Sequence, residues 1–530
     1  MKDVNKFLDD YSKGLEGRDF WVPYRDFCKN IEKAEPTKLV AAAPNLLSQI
    51  ENDLMASEFY KGIDEASSKD IKFGKALYEL VSKSSSEKTQ GLLPRIISGV
   101  FKKDSKWAIK EALNLFDSAS SLKNAHGINS IFYFDLSKPE LENFIAKVDN
   151  RFSEFIDNQN TTIGVLASIV STCGNQRTHI PNSETHIRAL LYREENEIKV
   201  QLLHLLNHNI DIKSETELYK SVLDALLSMN IELKGAYDTL AYILENEVEE
   251  NFHIILEFLN SWVGFSVENA NNTKLLQPVF DKIYRLKQVY FQKLITEWLN
   301  DDNINFQLAI FGVIRELSYG NVETLKLDEK LLKGYSLYDI AYIARKIIGF
   351  VYEKDLSTSM LFSIIEAKYE DDSTLNYLGD IFVNHLIFNY YSTVDFLKDK
   401  KKSAPNKLKK AIDEIITEGK RYYDAYSKLE LYKEFDPSEV RLNYINRLQN
   451  KKFSKSYNDS ENNSGSFSSL FTTLHFRVGK TAFAKFEGKY SAHMEPKLIS
   501  HSAEMPRGEY IDPVGQAQLR LESQAFKRRK

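Results

Sequence analysis

The chain is 530 residues long, 43% hydrophobic, 27% charged and 12% aromatic, with 70 Lys and Arg against 75 Asp and Glu for a net charge of −5. That composition excludes a collagen-like, low-complexity or membrane-embedded chain. Its 22 Gly and 12 Pro are few for the length, and since these residues punctuate turns and break helices, their scarcity argues for long helices over a turn-dense sandwich or barrel.

In chain order, the N-terminal stretch MKDVNKFLDDYSKGLEGRDF has acidic residues where a secretory signal carries an apolar core. No later run reaches the ~18 apolar residues of a membrane span. The two cysteines, Cys28 and Cys173, lie too far apart in sequence for a disulfide framework or a Cys-based zinc site. Reduced thiols in a cytoplasmic protein with no membrane contact are expected.

Apolar residues then recur at spacings of three and four, as in Phe252, Ile255, Leu256, Leu259 and Val263, or Leu337, Ile340, Ala344, Ile347 and Val351. The same period predicts helices over 38–54, 105–122, 138–156, 185–206, 215–229, 274–299, 304–317, 357–369 and 375–397. Ser105 and Ser214 are expected to open two of them as capping residues. The fold class expected is all-α, an irregular helical repeat (α-solenoid-like) or a large helical bundle, with a small C-terminal β-hairpin and an extended tail. No fixed period of a known repeat family recurs.

Four segments are expected: an acidic helical array over 1–397, a basic helical segment over 398–453, a flexible linker over 454–469, and a β-hairpin with a basic tail over 470–530. The linker, SKSYNDSENNSGSFSS, is Ser/Asn-rich and has too little apolar surface to offset its ordering entropy. Beyond it Leu474, Phe476 and Val478 alternate with His475 and Arg477, and Gly479-Lys480 offers the turn of the hairpin. The remainder, with Pro496, Pro506 and Pro513 and the ending KRRK, reads as an arm that is ordered only by docking.

Charge is split along the chain. From Lys398 to Lys530 there are 27 Lys and Arg against 17 Asp and Glu, a net of +10, so residues 1–397 carry −15. Lys398, Lys400, Lys401, Lys402, Lys407, Lys409 and Lys410 fall within thirteen residues, and Lys527, Arg528, Arg529 and Lys530 end the chain. Such density suits phosphate backbones or an acidic protein surface, including the chain's own acidic array. Tyr422, Tyr423, Tyr426 and Tyr432 follow; they either stack bases or, as is more usual at helical spacing, pack on the neighbouring helix.

Reactive side chains are scattered. Gly479, Lys480 and Thr481 form a GKT triplet, but the glycine a phosphate-binding loop needs five positions earlier is Leu474. The HMEP stretch lacks the later cysteines of a zinc deaminase. His475, His493 and His501, with Glu495 close to His493, could bind a divalent ion or act as acid and base if the fold gathers them. The loop 173–186 carries Cys173, Arg177, His179 and His186 at a spacing that matches no zinc pattern and reads as a polar connection. His204 and His208 are i,i+4 neighbours without the Glu of H-E-x-x-H and read as core-edge histidines.

The stretch FRVGKTAFAKFEG, residues 476–488, resembles a stretch of the EH-signature proteins of bacterial antiphage systems. The resemblance covers those residues alone, without the aromatic and acidic residues around them, and implies DNA handling in a bacterial defence complex. The first expectation for function is a non-enzymatic helical scaffold or adaptor binding partner macromolecules in a multi-subunit cytoplasmic complex, without a cofactor or bound metal. The second is a nucleic-acid-binding subunit using the basic C-terminal quarter for phosphate contacts to DNA or RNA. The third is a metal-dependent hydrolase built on the C-terminal His/Glu set.

Overall fold

The structure, a computed structural model, describes residues 4–11, 18–50, 55–319, 322, 324–428, 440–441, 443–444, 447–448, 451, 485–486, 489–490 and 506–528. It is all-α: helix follows helix from Val4–Tyr11 to Asn406–Tyr426, and Arg507–Ile511 and Pro513–Ala525 come last. Among the described residues no helix is long and apolar enough to cross a membrane. Residue contacts divide the chain into two units, Met1–Leu331 with Phe350–Leu356, and Leu332–Gly349 with Ser357–Lys530.

In the first unit, helices meet mostly those one to three steps away in sequence. Ser121–Phe132 packs on Ile163–Asn175, which packs on Asn196–His208, which meets Lys234–Glu247. The seams are apolar at every third or fourth position: Ile128 and Ile131, then Leu166, Ile169, Val170 and Cys173, then Ile198, Leu202 and Leu205 are all buried, as the 3.6-residue period requires. Each fully buried Leu or Ile contributes about 1.5–3 kcal/mol. One close approach depends on a missing side chain. A Cβ on Gly99, in Leu93–Phe101, would lie 2.3 Å from the Asp64 carbonyl oxygen and 2.6 Å from Ser67 Cβ in Ala56–Lys69.

Helix starts show where capping chemistry differs from the sequence reading. The Asp104 carboxylate accepts the Trp107 amide at 3.1 Å, so the helix Ser105–Phe116 is capped one residue ahead of the expected Ser105. Ser214 caps nothing, because its hydroxyl donates to Asp211 Oδ2 at 2.8 Å and the helix begins at Thr216. Four long expected helices are broken, 105–122 at residues 117–120 and 375–397 at residues 390–392 among them. The polar run Arg193 to Asn196 leaves the stripe of 185–206 without an apolar anchor and splits it into Ser183–Leu190 and Asn196–His208. The stretch 274–299 becomes a 3-10 turn, Thr273–Leu276, followed by Gln277–Leu286 and Gln288–Asn300.

The second unit contains Asp372–Ile381, a π-helical stretch Phe382–Ile387, Thr393–Ser403 and Asn406–Tyr426. Leu408, Ile412, Ile415 and Ile416 are buried on the inner side of the last of these, which packs on the π-helical stretch. The small hairpin expected around Gly479-Lys480 is not supported. Residues 470–484 lie outside the described residues, as does the linker 454–469. The described ladder pairs Lys485 with Tyr490 and Phe486 with Lys489, further along the chain and too short to give a strand a buried face.

Candidate functional site

The lysine cluster sits on two consecutive helices of the second unit, Thr393–Ser403 and Asn406–Tyr426, joined at Ala404-Pro405. Leu397, Leu408 and Ile412 are buried, and this turns the intervening lysines outward. Four of the seven face carboxylates: Lys398 meets Asp395 at 2.8 Å, Lys401 meets Asp413 at 2.6 Å, Lys402 meets Asp399 at 3.0 Å and Lys407 meets Asp372 at 2.9 Å. Lys400 lies over the Phe396 ring at 5.3 Å. The Asp395 hydrogen bond pushes the Lys398 ammonium above its ordinary value, and Asp372 does the same for Lys407. The patch is therefore partly neutralised within the fold. Exposed pairs of this kind are weak and screened by solvent, so a phosphate or a partner's carboxylate can replace them.

Two of the tyrosines behind the cluster pack on the neighbouring elements. Tyr423 donates its hydroxyl to the Ile387 carbonyl at 3.0 Å and packs on Tyr391 at 4.5 Å, while Tyr422 meets Phe388 edge-on at 5.5 Å. Tyr422 remains exposed. Tyr432 and the Tyr426 side chain lie outside the described residues.

Between Asp372–Ile381 and Asn406–Tyr426 runs an open groove of about 650 Å³. Leu375, Gly379, Val383, Ala411 and Ile415 form its apolar floor, and Asp372, Asp380, Lys407, Lys410, Glu414 and Glu418 line its rim. The Lys407 and Lys410 end is continuous with the lysine cluster. Gly379 keeps the floor low, since a Cβ there would make only an ordinary contact of 3.5 Å with Ile415. Sequence reasoning found the lysines but missed the groove, because its two walls are about 35 residues apart and only the packing brings them together.

The basic end of the chain docks within its own unit. Asp512 accepts the Gly515 amide at 2.9 Å and Pro513 occupies the first turn, so Pro513–Ala525 starts as a capped helix. The Asp-Pro pair is itself a helix-start signal, and this part of the expected extended arm is helical. Lys346, buried on Leu337–Phe350, donates to the Gln524 carbonyl, and Gln524 Nε2 donates to the Gly349 carbonyl at 2.8 Å. Arg528 pairs with Asp339 at 3.3 Å and lies over Tyr342. Lys527 is exposed, and Arg529 and Lys530 lie outside the described residues.

His475, His493, Glu495 and His501 lie outside the described residues. Among the described residues no three His, Cys, Asp or Glu side chains are placed to hold a metal ion. The 173–186 group disperses into structural roles. Cys173 is fully buried in Ile163–Asn175, and burial pushes its thiol well above the ordinary range. Arg177 forks onto Glu215, with Nη1 to Oε2 at 2.8 Å. His186 Nε2 meets Asp149 Oδ1 at 2.8 Å, and Asn182 Nδ2 donates to Asp149 Oδ2 at 2.7 Å, closing a buried polar knot.

No family model matches the chain, and no curated protein matches it. Among solved structures, the crystal structure of an engineered protein aligns with 79% of this chain and 99% of its own chain at 12% identity, with a TM-score of 0.20. A likeness that low carries no argument about function.

Proposed function

We propose that the chain is a non-enzymatic scaffold or adaptor of a multi-subunit cytoplasmic complex. In this reading the helices form an irregular repeat whose grooves hold segments of partner proteins. The groove between Asp372–Ile381 and Asn406–Tyr426 carries the proposal, since an apolar floor between charged rims is the arrangement that receives an amphipathic partner segment. Lys407 and Lys410 at its mouth would steer an acidic partner, and the apolar floor would supply the anchor. The test is a groove plug. Gly379→Trp fills the floor from an exposed side, and defined partners retrieved with the full chain from its source should be lost with the plug and with Lys407→Glu/Lys410→Glu. An unchanged partner set overturns the assignment of this groove.

A second reading, a nucleic-acid-binding subunit, is favoured by the outward-facing lysines of the same helices, and the likeness of residues 476–488 to EH-signature proteins points the same way. Duplex binding across a salt series should then show a steep loss of affinity with salt. Replacing Lys400, Lys401, Lys402, Lys407, Lys409 and Lys410 by Gln should remove it. Salt-independent binding, or binding indifferent to the substitutions, ends this reading.

A further inference from the structure

His204 and His208 are not the core-edge residues their sequence suggests. Leu202, Leu203, Leu205 and Leu206 take the buried side of Asn196–His208, and both imidazoles face outward over an open cavity of about 400 Å³. The rings lie parallel, 10° apart in plane, with centroids 6.4 Å from each other. The cavity is walled by Ile163–Asn175 and the end of Ser121–Phe132, which bring Ser171, Asn175 and Phe132 opposite the histidines.

The geometry points to a divalent transition-metal site, in which His204 and His208 clamp a borderline cation such as Zn²⁺, Ni²⁺ or Cu²⁺ over this cavity. Imidazole nitrogens are ligands of choice for these ions, at about 2.0–2.1 Å for zinc. One helical turn separates the rings, so small side-chain rotations bring one nitrogen of each onto a common ion. His208 Nε2 lies 3.0 Å from Asn207 Nδ2, and with the amide donating, that nitrogen presents a lone pair the ion can take over. Asn175 engages its amide nitrogen with the Phe132 carbonyl at 2.6 Å, which leaves the amide oxygen for the cavity. Asn209 Oδ1 lies 3.5 Å from the position of a Gly174 Cβ on the same wall. Amide oxygens and water can fill the remaining positions.

Two further features favour the ion. His208 ends its helix, where the backbone dipole attracts a cation. The cavity is also polar around the rings, with Ser171, Asn175 and Gln201 lining it beside them. The charged group next to the rim is Arg177, which donates to the Asn209 carbonyl at 2.9 Å and is neutralised by Glu215. The site belongs to the first unit and is independent of the groove of the second.

Calorimetric titration of the full, chelator-stripped chain with NiCl₂ or ZnCl₂ tests the site. One equivalent should bind at about pH 7.5. His204→Ala and His208→Ala should each abolish that equivalent, while His475→Ala/His493→Ala/His501→Ala should retain it. Both substituted rings are exposed, and unchanged circular dichroism of the variants confirms that the loss is local. The inference is overturned if His204→Ala/His208→Ala binds the same equivalent with the same affinity, if only one of the two singles matters, or if the loss follows the tail histidines instead.

Discussion

Gly349→Leu should release the C-terminal arm while leaving the helix that carries it intact. A Cβ at this position would lie 2.9 Å from both the Gln524 backbone nitrogen and Gln524 Cγ, and 3.3 Å from Gln524 Cα. Backbone cannot yield as a flexible side chain does, and two hydrogen bonds fix it: Lys346 Nζ to the Gln524 carbonyl and Gln524 Nε2 to the Gly349 carbonyl. Overpacking costs about 1–3 kcal/mol and each lost bond about 1 kcal/mol, together ~3–5 kcal/mol. Little apolar burial offsets this, since Val514 and Leu521 of the arm are 76% and 65% exposed. At about 1.4 kcal/mol per factor of ten, the undocked fraction should rise roughly 100- to 4000-fold.

Amide exchange across Pro513–Ala525 and tryptic cleavage after Arg520 read that fraction directly, provided closing is fast relative to cleavage. A second readout is His385, whose imidazole is held at about 4 by burial first and then by Arg520 and Arg345. With the arm released, Arg520 departs and His385 should titrate closer to its ordinary 6.5. Unchanged exchange, cleavage and His385 titration in a folded Gly349→Leu protein would refute the docking described for this arm.

Gly99→Ala should lower stability to urea by about 2–3 kcal/mol, because the Asp64 carbonyl cannot move away from the new methyl group. Gly235→Ala, with nothing within 4 Å of the new Cβ, should be neutral or raise stability by up to about 1 kcal/mol. Asp149→Ala removes the acceptor shared by His186 and Asn182 and should cost about 3–5 kcal/mol, with His186→Ala no more than additive to it in the double variant. His126 is buried and its imidazole is pushed down to about 4 from 6.5, chiefly by burial. Between those values the unfolded chain binds the proton and the folded one does not, so stability falls as pH drops from 6.5 to about 4, by up to ~3 kcal/mol. Urea melts at several pH values should show that slope flattened by His126→Leu.

The helical class was legible because it rests on local features: few Gly and Pro, and apolar residues at three and four spacing from Phe252 to Val263 and from Leu337 to Val351. Boundaries were less legible where polar runs interrupt the stripe, as at Arg193 to Asn196, and where the capping oxygen came from Asp104 instead of Ser105. The lysine cluster is a property of composition and was read directly, but its pairing with Asp372 and Asp413 depends on packing. The groove combines Leu375 and Val383 with Ile415, residues whose adjacency no periodicity encodes. His204 and His208 share a face by spacing alone; that the face looks outward follows from the four leucines around them.

The central claim, that this chain holds a partner in the groove between Asp372–Ile381 and Asn406–Tyr426, is tested most directly by photo-crosslinking in the source cell. With a photoreactive residue in place of Asn376 or Glu414 at the rim, the account predicts a discrete adduct with one and the same protein from both positions. None should form from Asp238 on the first unit, and the adduct should vanish when Gly379→Trp is added. Rim adducts that persist unchanged with the groove plugged, or form equally from Asp238, would contradict it.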